Sequence, residues 1–397
     1  MHTAVIVDAV RTASGRGKPG GALSGTHPVD LAAIMLRSLL ERNGLESTQV
    51  DDVLLGAVSQ IGDQSTNIAR GALLAAGFDE SVPGTTIDRQ CGSSQQAAHF
   101  AAQGVMAGSY DIVIAGGVES MSRVPLGSSS HGGTPNSPGM HARYPEGLVN
   151  QGVSAELIAA KWGFSREELD RFAAESHQRA ASAASAGRFD RELIPVDVRD
   201  EAGEAHRHSI DETVRAGTTV EKLGTLASSF YDADTAARFP QISWHITPGN
   251  SSPLTDGASA LLIMSEAKAN ELGLTPRARF HSFAVTGDDP LYMLTGPIPA
   301  THKILERSGL EFSQLDVYEV NEAFAPVPLA WAHEFNADPA KLNPWGGAIA
   351  LGHPLGASGT RLMGTMLAYL EATGGRYGLQ TMCEGGGMAN ATIIERL

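Results

Sequence analysis

Between Asp30 and Arg42 apolar side chains return at helical spacing, and Asn43-Gly44 follows as a stop, which predicts an amphipathic helix against a core. Shorter apolar runs behave differently. Asp52-Val53-Leu54-Leu55 and Asp111-Ile112-Val113-Ile114-Ala115 are short, nearly unbroken in their apolar character, and read as buried strands. The rhythm returns later, with a strand over Asp316 to Val320 and apolar runs at Ala258 to Met264 and Leu379 to Met382. Helical stretches alternating with buried strands predict the α/β class.

Two distant segments repeat one another. Glu41 to Asp51 and Glu306 to Asp316 share the pattern Glu-Arg-x-Gly-Leu-Glu-x-x-Gln-x-Asp at an offset of 265 residues, and Gly108 to Ile112 pairs with Gly375 to Leu379 at an offset of 267. The period is far too long for a solenoid and predicts two similar halves packed together. The stretch from about Ser122 to Gly249 breaks the rhythm, starting with the Ser/Gly/Pro/His-rich run Gly127 to Gly139, which predicts an exposed loop. Inside it, Ser165 with Glu168 three positions on forms a capping box that opens a helix closing near Gly187. The expected division is a first half over 1–121 completed by 250–272, an inserted loop domain over 122–249, and a second half over 273–397.

Charge narrows the partners. A formal net charge of -15 and a pI near 5.3 argue against nucleic acid or an anionic membrane as the main partner, so an anionic ligand needs a local site. Neither a signal peptide nor a membrane span is visible, and the terminal Glu395-Arg396-Leu397 does not suit a peroxisomal address. Cytoplasm is the expected location.

The chain has only two cysteines, each beside a glycine- and serine-rich turn: Gln90-Cys91-Gly92-Ser93-Ser94 and Met382-Cys383-Glu384-Gly385-Gly386-Gly387. Reduced thiols are the better expectation for a large chain without a secretory signal. Cys91 precedes an alanine-rich stretch suited to a helix, whose start would favour a thiolate below the usual pKa near 8.5 and whose N–H groups can hold an oxyanion. A small buried residue at a tight turn is the plain alternative. His353 sits in the glycine-dense Asn343 to Gly359 stretch, between Gly352 and Pro354, and can take a proton from a thiol near neutral pH; taken alone it reads more readily as a satisfied turn histidine. Asn321-Glu322 ends a strand, where ligands gather in α/β folds, though an ordinary turn asparagine fits too. The glycines after Cys383 leave backbone donors open to a substrate oxygen. No Cys-x-x-Cys spacing or fourth ligand supports zinc, and His206 and His208 flank Arg207 in what reads as a solvated hairpin, so no metal site is expected.

Cys91, Asn321-Glu322-Ala323-Phe324-Ala325, Gly346-Gly347-Ala348-Ile349-Ala350-Leu351-Gly352-His353-Pro354 and Cys383-x-Gly385-Gly386-Gly387, together with Gly249-Asn250-Ser251-Ser252, Asp256-Gly257-Ala258 and Gly296 to Ala300, resemble in this order the signature set of the thiolases. The resemblance spans essentially the whole chain. It implies a duplicated, five-layered αβαβα fold with an inserted loop domain, and reversible thioester-dependent Claisen chemistry on 3-ketoacyl-CoA. It implies Cys91 as acyl-carrying nucleophile, His353 as its base and Cys383 as the acid/base at the enolate. Asn321 and His353 would serve one oxyanion, and the N–H groups of Cys91 and Gly385 a second. Ser252 resembles a serine near the pantetheine arm and Met293 a methionine lining the acyl pocket. Coenzyme A enters as a substrate, with no tightly bound cofactor, and a homodimer or homotetramer is implied.

Four departures from the family pattern stand out. Asp88 stands where many relatives have asparagine, and Glu384 replaces a small or aliphatic residue beside Cys383. In an extended segment Glu384 points away from the face that presents Cys383, which limits its expected effect on the thiol. Asn150-Gln151 replaces a His-Met pair of short-chain biosynthetic members, pointing to acyl groups larger than acetoacetyl. Leu226 to Phe230 lacks the basic residue or proline expected near the CoA nucleotide. Two alternatives stand beside a thiolase: a β-ketoacyl synthase relative, which the second cysteine speaks against, and a non-catalytic scaffold subunit binding CoA or lipid.

Overall fold

The computed structural model describes residues 2–199 and 203–397. The first lobe is built on β1 (Ala4–Arg11), β2 (Asp52–Gly56), β3 (Gly84–Ile87), β4 (Ile112–Ser120) and β5 (Thr255–Ser265), in spatial order β3-β2-β4-β5-β1. Pairing is parallel in β3-β2-β4, and β5 runs antiparallel to both β4 and β1. β4 and β5 are buried along their whole length, which is why they read as continuous apolar runs rather than alternating ones.

The second lobe repeats this plan with β6 (Ala278–Gly287), β7 (Val317–Val320), β8 (Tyr377–Glu384) and β9 (Met388–Arg396), in order β7-β8-β9-β6. β7 and β8 are parallel, and β9 is antiparallel to both neighbours. The counterpart of β3 shrinks to one parallel bridge between Tyr318 and Leu342. A two-residue ladder, Val5 with Arg279 and Ile6 with Ala278, joins the lobes.

Helices fill three layers around the strands. α1 (Pro28–Asn43) and α2 (Ile68–Ala75) cover the outer face of the first lobe, where Leu31, Met35 and Leu36 pack on Val53, Ile114 and Leu262. α3 (Ser93–Ala107) lies in the middle, and α4 (Pro297–Ser308) with α5 (Pro326–Phe335) covers the second lobe through Ile304 and Trp331 on Leu379 and Ile393. α6 (Ser358–Thr373) joins α3 between the lobes: Ala97, Ala101, Met366, Leu367 and Leu370 share one cluster with Ile6, Leu261, Phe280 and Val317. Each buried Leu or Met there contributes roughly 1.5–3 kcal/mol. The result is the five-layered αβαβα arrangement.

One polar device marks the duplication. Asp51 Oδ2 accepts from the backbone N–H groups of Asp111 (2.6 Å) and Ile112 (2.9 Å), and Asp316 Oδ2 accepts from those of Arg376 (2.6 Å) and Tyr377 (3.0 Å). Both clamps lie 265 residues apart, so the offset of 267 is corrected. It aligned Tyr110 with Tyr377 by residue type, whereas the strands equate Ile112 with Tyr377. α1 and α4 also end alike, on the left-handed glycines Gly44 and Gly309.

The chain between β4 and β5 carries the helices Gln151–Trp162 and Arg166–Ser185. The second opens on the Ser165/Glu168 capping box, with left-handed Gly187 just beyond its end. Gly127 to Gly139 is exposed but for the half-buried Ser128, and includes one short 3-10 turn, Ser128–Ser130. The hairpin Val196–Arg199 with Ala205–His208 exposes His206 and Arg207 but buries His208, because that side chain turns in toward the backbone of Ala13 and Ser14. The expectation that both histidines are solvated is corrected for His208. Arg11 ties this segment to β1 by buried ion pairs to Glu192 (2.5 Å) and Asp211 (2.7 Å).

Candidate active site

Cys91 sits in the turn that opens α3. Asp88 accepts from the Gln90 N–H (2.7 Å), Gln90 takes a left-handed φ of 49°, and the Ser93 hydroxyl donates to Gln90 O (2.6 Å). The turn leaves the Cys91 side chain buried against Met121, Leu355 and Met382. Its own N–H and that of Gly385 face the sulfur and favour the thiolate, but burial and then Glu384 outweigh them, and the thiol is pushed up to about 12. The expected depression at a helix start is thereby corrected: a buried site removes more solvation than two N–H groups return.

His353 follows the short helix Ala348–Leu351 and the left-handed Gly352. Its backbone N–H donates to Thr255 Oγ1 (3.1 Å). Its Nδ1 lies 2.5 Å from Ser358 Oγ, and the Ser358 hydroxyl proton is already donated to Pro354 O (2.8 Å). Nδ1 must therefore carry the imidazole proton, which leaves Nε2 bare. Nε2 faces Asn321 Nδ2 at 3.3 Å. Burial, then the Arg361 charge, pushes His353 down to about 3, so the ring is neutral at rest.

Asn321 follows β7 directly, and its side chain also faces the sulfur of Cys383, which is fully buried near the end of β8. Burial, then Cys91 and Glu384, holds the Cys383 thiol well above its ordinary range. Both cysteines are free. Cys91, Cys383, His353, Asn321 and the Gly385 N–H therefore converge on one centre. Met293, held at a left-handed φ of 50°, packs into the cluster that includes Cys383, Leu294 and Phe324. A cavity of about 340 Å³ reaches His353 past Ser252, Phe324, Met121, Asn150 and Gln151. A larger one, about 630 Å³ beside Lys161, Tyr292 and His302, holds none of the expected site residues.

Several supports escaped the sequence. Ser358, which sets the His353 tautomer, stands in the quoted glycine stretch five residues on, a spacing that a turn closes but no helix or strand period flags. Glu119, at the end of β4, accepts from the N–H groups of Val58 (3.0 Å), Ser59 (3.1 Å) and Gly356 (2.8 Å), fixing the loop that carries His353. Glu322 turns away from the centre, to Ser176 Oγ (2.7 Å), Asn343 Nδ2 (2.9 Å) and the Ile349 N–H (3.1 Å). Among the described residues no group of three or more His, Cys, Asp or Glu could hold a metal, and no helix is long and apolar enough to cross a membrane.

Paired thiols, a bare imidazole nitrogen and convergent N–H donors are groups whose chemistry suits acyl transfer. Residues 4–267 match the thiolase N-terminal domain and residues 274–396 the thiolase C-terminal domain. The steroid 3-ketoacyl-CoA thiolase FadA6 of Mycobacterium tuberculosis is 49% identical, over 100% of this chain and 95% of that protein. A 3-ketoacyl-CoA thiolase of Citrobacter koseri is 44% identical over the full length of both. The crystal structure of Bacillus anthracis acetyl-CoA acetyltransferase superposes with a TM-score of 0.89 at 38% identity, covering 100% of this chain and 99% of that one. The chain belongs to the thiolase family, and it is an acyltransferase with thiolase function.

Proposed function

We propose that this thiolase works in the degradative direction on 3-ketoacyl-CoA substrates larger than acetoacetyl-CoA. His353 Nε2 accepts the Cys91 proton as the sulfur attacks the 3-keto carbon, and the N–H groups of Cys91 and Gly385, or Asn321 with His353, receive the oxyanions that develop. The bond between C2 and C3 breaks, and its electron pair becomes the enolate of acetyl-CoA. Cys383 gives that enolate its proton, leaving the shortened acyl group as a thioester on Cys91. The thiol of a second CoA then gives its proton to the Cys383 thiolate as its sulfur takes the acyl group, and His353 returns its proton to the departing Cys91 sulfur. Thioester exchange preserves the activation of the acyl group, so each step stays reversible.

The observation that carries this reading is the bare Nε2 of His353 in one cluster with both thiols. The substrate size rests on the 340 Å³ cavity, whose wall includes Asn150 and Gln151, and on the 49% identity to a protein named for steroid 3-ketoacyl-CoA. Asn150 accepts from the Val153 N–H (3.0 Å) to cap its helix, which fixes that wall. Ser252 and Met293 belong to the same reading, as contacts of the pantetheine arm and the acyl group. Assembly as a homodimer or homotetramer in the cytoplasm, with CoA as a diffusible substrate, completes it.

The test mixes purified enzyme with CoA and 3-ketoacyl-CoAs of increasing length, including ring-bearing acyl groups, and follows acetyl-CoA release. kcat/KM rising beyond acetoacetyl-CoA supports the reading. A maximum at acetoacetyl-CoA overturns the substrate size, and no turnover at any length overturns the roles.

A further inference from the structure

Glu384 ends β8 one residue after Cys383, and its face is opposite to that of Cys383, as strand alternation requires. That turn does not take it out of the site. Its carboxyl group is fully buried over Gly92, the residue after Cys91, where an added Cβ would collide with Glu384 Oε1. Neither carboxyl oxygen has a hydrogen-bond donor. Asn390, on β9, flanks the same point, with Oδ1 2.9 Å from where that Cβ would stand. Its Nδ2 is committed to Gly92 O (3.0 Å), and its Oδ1 has no partner either. Two orphan acceptors, Glu384 Oε1 and Asn390 Oδ1, thus both crowd the point over Gly92 where a Cβ would stand. Turning the amide over would set Oδ1 against Gly92 O, so the amide cannot serve the carboxylate without breaking the bond to the turn.

A proton satisfies both acceptors at once. Building on the role of Cys91 as nucleophile, we propose that Glu384 is a positioning residue carried as the neutral acid, donating to Asn390 Oδ1, and that this bond fixes the Gly92 turn on which Cys91 stands. An unpaired buried carboxylate would cost far more than one neutral hydrogen bond. Burial pushes this carboxyl up to about 8, with Arg89 drawing it down and Asp88 pushing it up. The other titratable groups facing it are the Cys91 and Cys383 thiols, and an ionised Glu384 opposes the thiolate of both. The proton on Glu384 therefore serves geometry and electrostatics together.

Three measurements test this. The infrared difference spectrum of wild type minus Glu384→Gln at pH 7 is expected to show one protonated carboxyl band; its absence overturns the proposal. That outcome is independent of turnover, so it stands apart from any failure of Cys91 as nucleophile. Alkylation of Cys91 by iodoacetamide, followed by peptide mass, is expected to be about tenfold faster in Glu384→Gln than in wild type at pH 9, the effect of one pKa unit, and to converge with it below pH 7. Superimposable pH profiles overturn the electrostatic part. Glu384→Ala is expected to lower kcat with little change in KM, and Glu384→Gln, which keeps a donor for Asn390 Oδ1, to recover most of that loss. Equal kcat losses in both variants overturn the hydrogen bond to Asn390.

Discussion

Ser358 fixes which nitrogen of His353 carries the proton. With its own hydrogen given to Pro354 O, the Ser358 oxygen can only accept, so the imidazole presents a bare Nε2 toward Asn321. Ser358→Ala removes the lock while leaving the pocket wall intact. kcat is expected to fall about 10²-fold, the lower range for loss of a positioned acid/base, with KM changed less than threefold. Steady-state kinetics separates this from a binding defect, which would move KM instead.

The two thiols should fail differently. Cys91→Ala is expected to abolish turnover and acyl-enzyme mass together. Cys383→Ala should still acquire an acyl group from a simple acyl-CoA while losing carbon–carbon cleavage by roughly 10²-fold or more. Intact-protein mass spectrometry after mixing with acyl-CoA reads the first step alone, and equal loss of acyl-enzyme in both variants contradicts the division.

The resting thiol should be sluggish. Cys91 is pushed up to about 12 and His353 down to about 3, which favours a neutral thiol and a neutral imidazole at rest; in the proposed mechanism the proton then moves only as the sulfur attacks. Iodoacetamide is expected to alkylate Cys91 more slowly than a free cysteine thiol at pH 7, with the rate still climbing above pH 9. A plateau near neutral pH would mean a preformed ion pair instead.

Buried strands, the Ser165 cap and the Asp51/Asp316 repeat were legible because they follow from local pattern. The second repeat slipped by two residues, since a matching tyrosine carries no information about strand register. At Cys91 the helix start speaks only for neighbours in sequence, whereas burial and Glu384, which come from across the fold, decide the direction. Glu384 shows the same limit: alternation correctly turned it from the Cys383 face, yet nothing local says that the opposite face meets Gly92. Ser358 was visible as a residue but not as a partner, because the turn between Pro354 and Ser358 had to be seen.

His99 offers a stability test. Its ring is buried in the central layer, bonded only through Nε2 to Thr392 Oγ1 (2.6 Å), and burial, then Arg89, pushes it down to about 3. The unfolded chain protonates this group near pH 6.5, so its stabilising contribution is whole above that pH and is lost as pH falls toward 3. The loss is about 1.4 kcal/mol per pH unit. Other buried groups titrate in the same range, so the informative quantity is a difference. Urea unfolding of wild type and His99→Gln at pH 7.5 and pH 5 should show the gap between them shrinking at the lower pH. A constant gap would mean that His99 is not neutral in the folded enzyme.

The two halves of the site are held together by the close approach of α3 and α6. Cys91 stands at the start of α3 and Ser358, with His353, at the start of α6, so their spacing depends on how closely these helices approach. Gly359 makes the approach possible: a Cβ there would collide with the backbone nitrogen of Gln95 in α3, which has no flexible end to move aside. Gly359→Ala must therefore push the helices apart or tilt one against the lobes. Its better helix propensity returns only about 1 kcal/mol, while overpacking a filled core typically costs 1–3 kcal/mol. A net loss of stability is expected together with a fall in kcat, because the same displacement draws Cys91 from His353. Thermal unfolding and kcat measured on one preparation check both. If kcat fell alone, the helices would have absorbed the methyl by rotation; unchanged kcat with lower stability would place the strain at the far end of α6, away from the turn of Pro354 and Ser358.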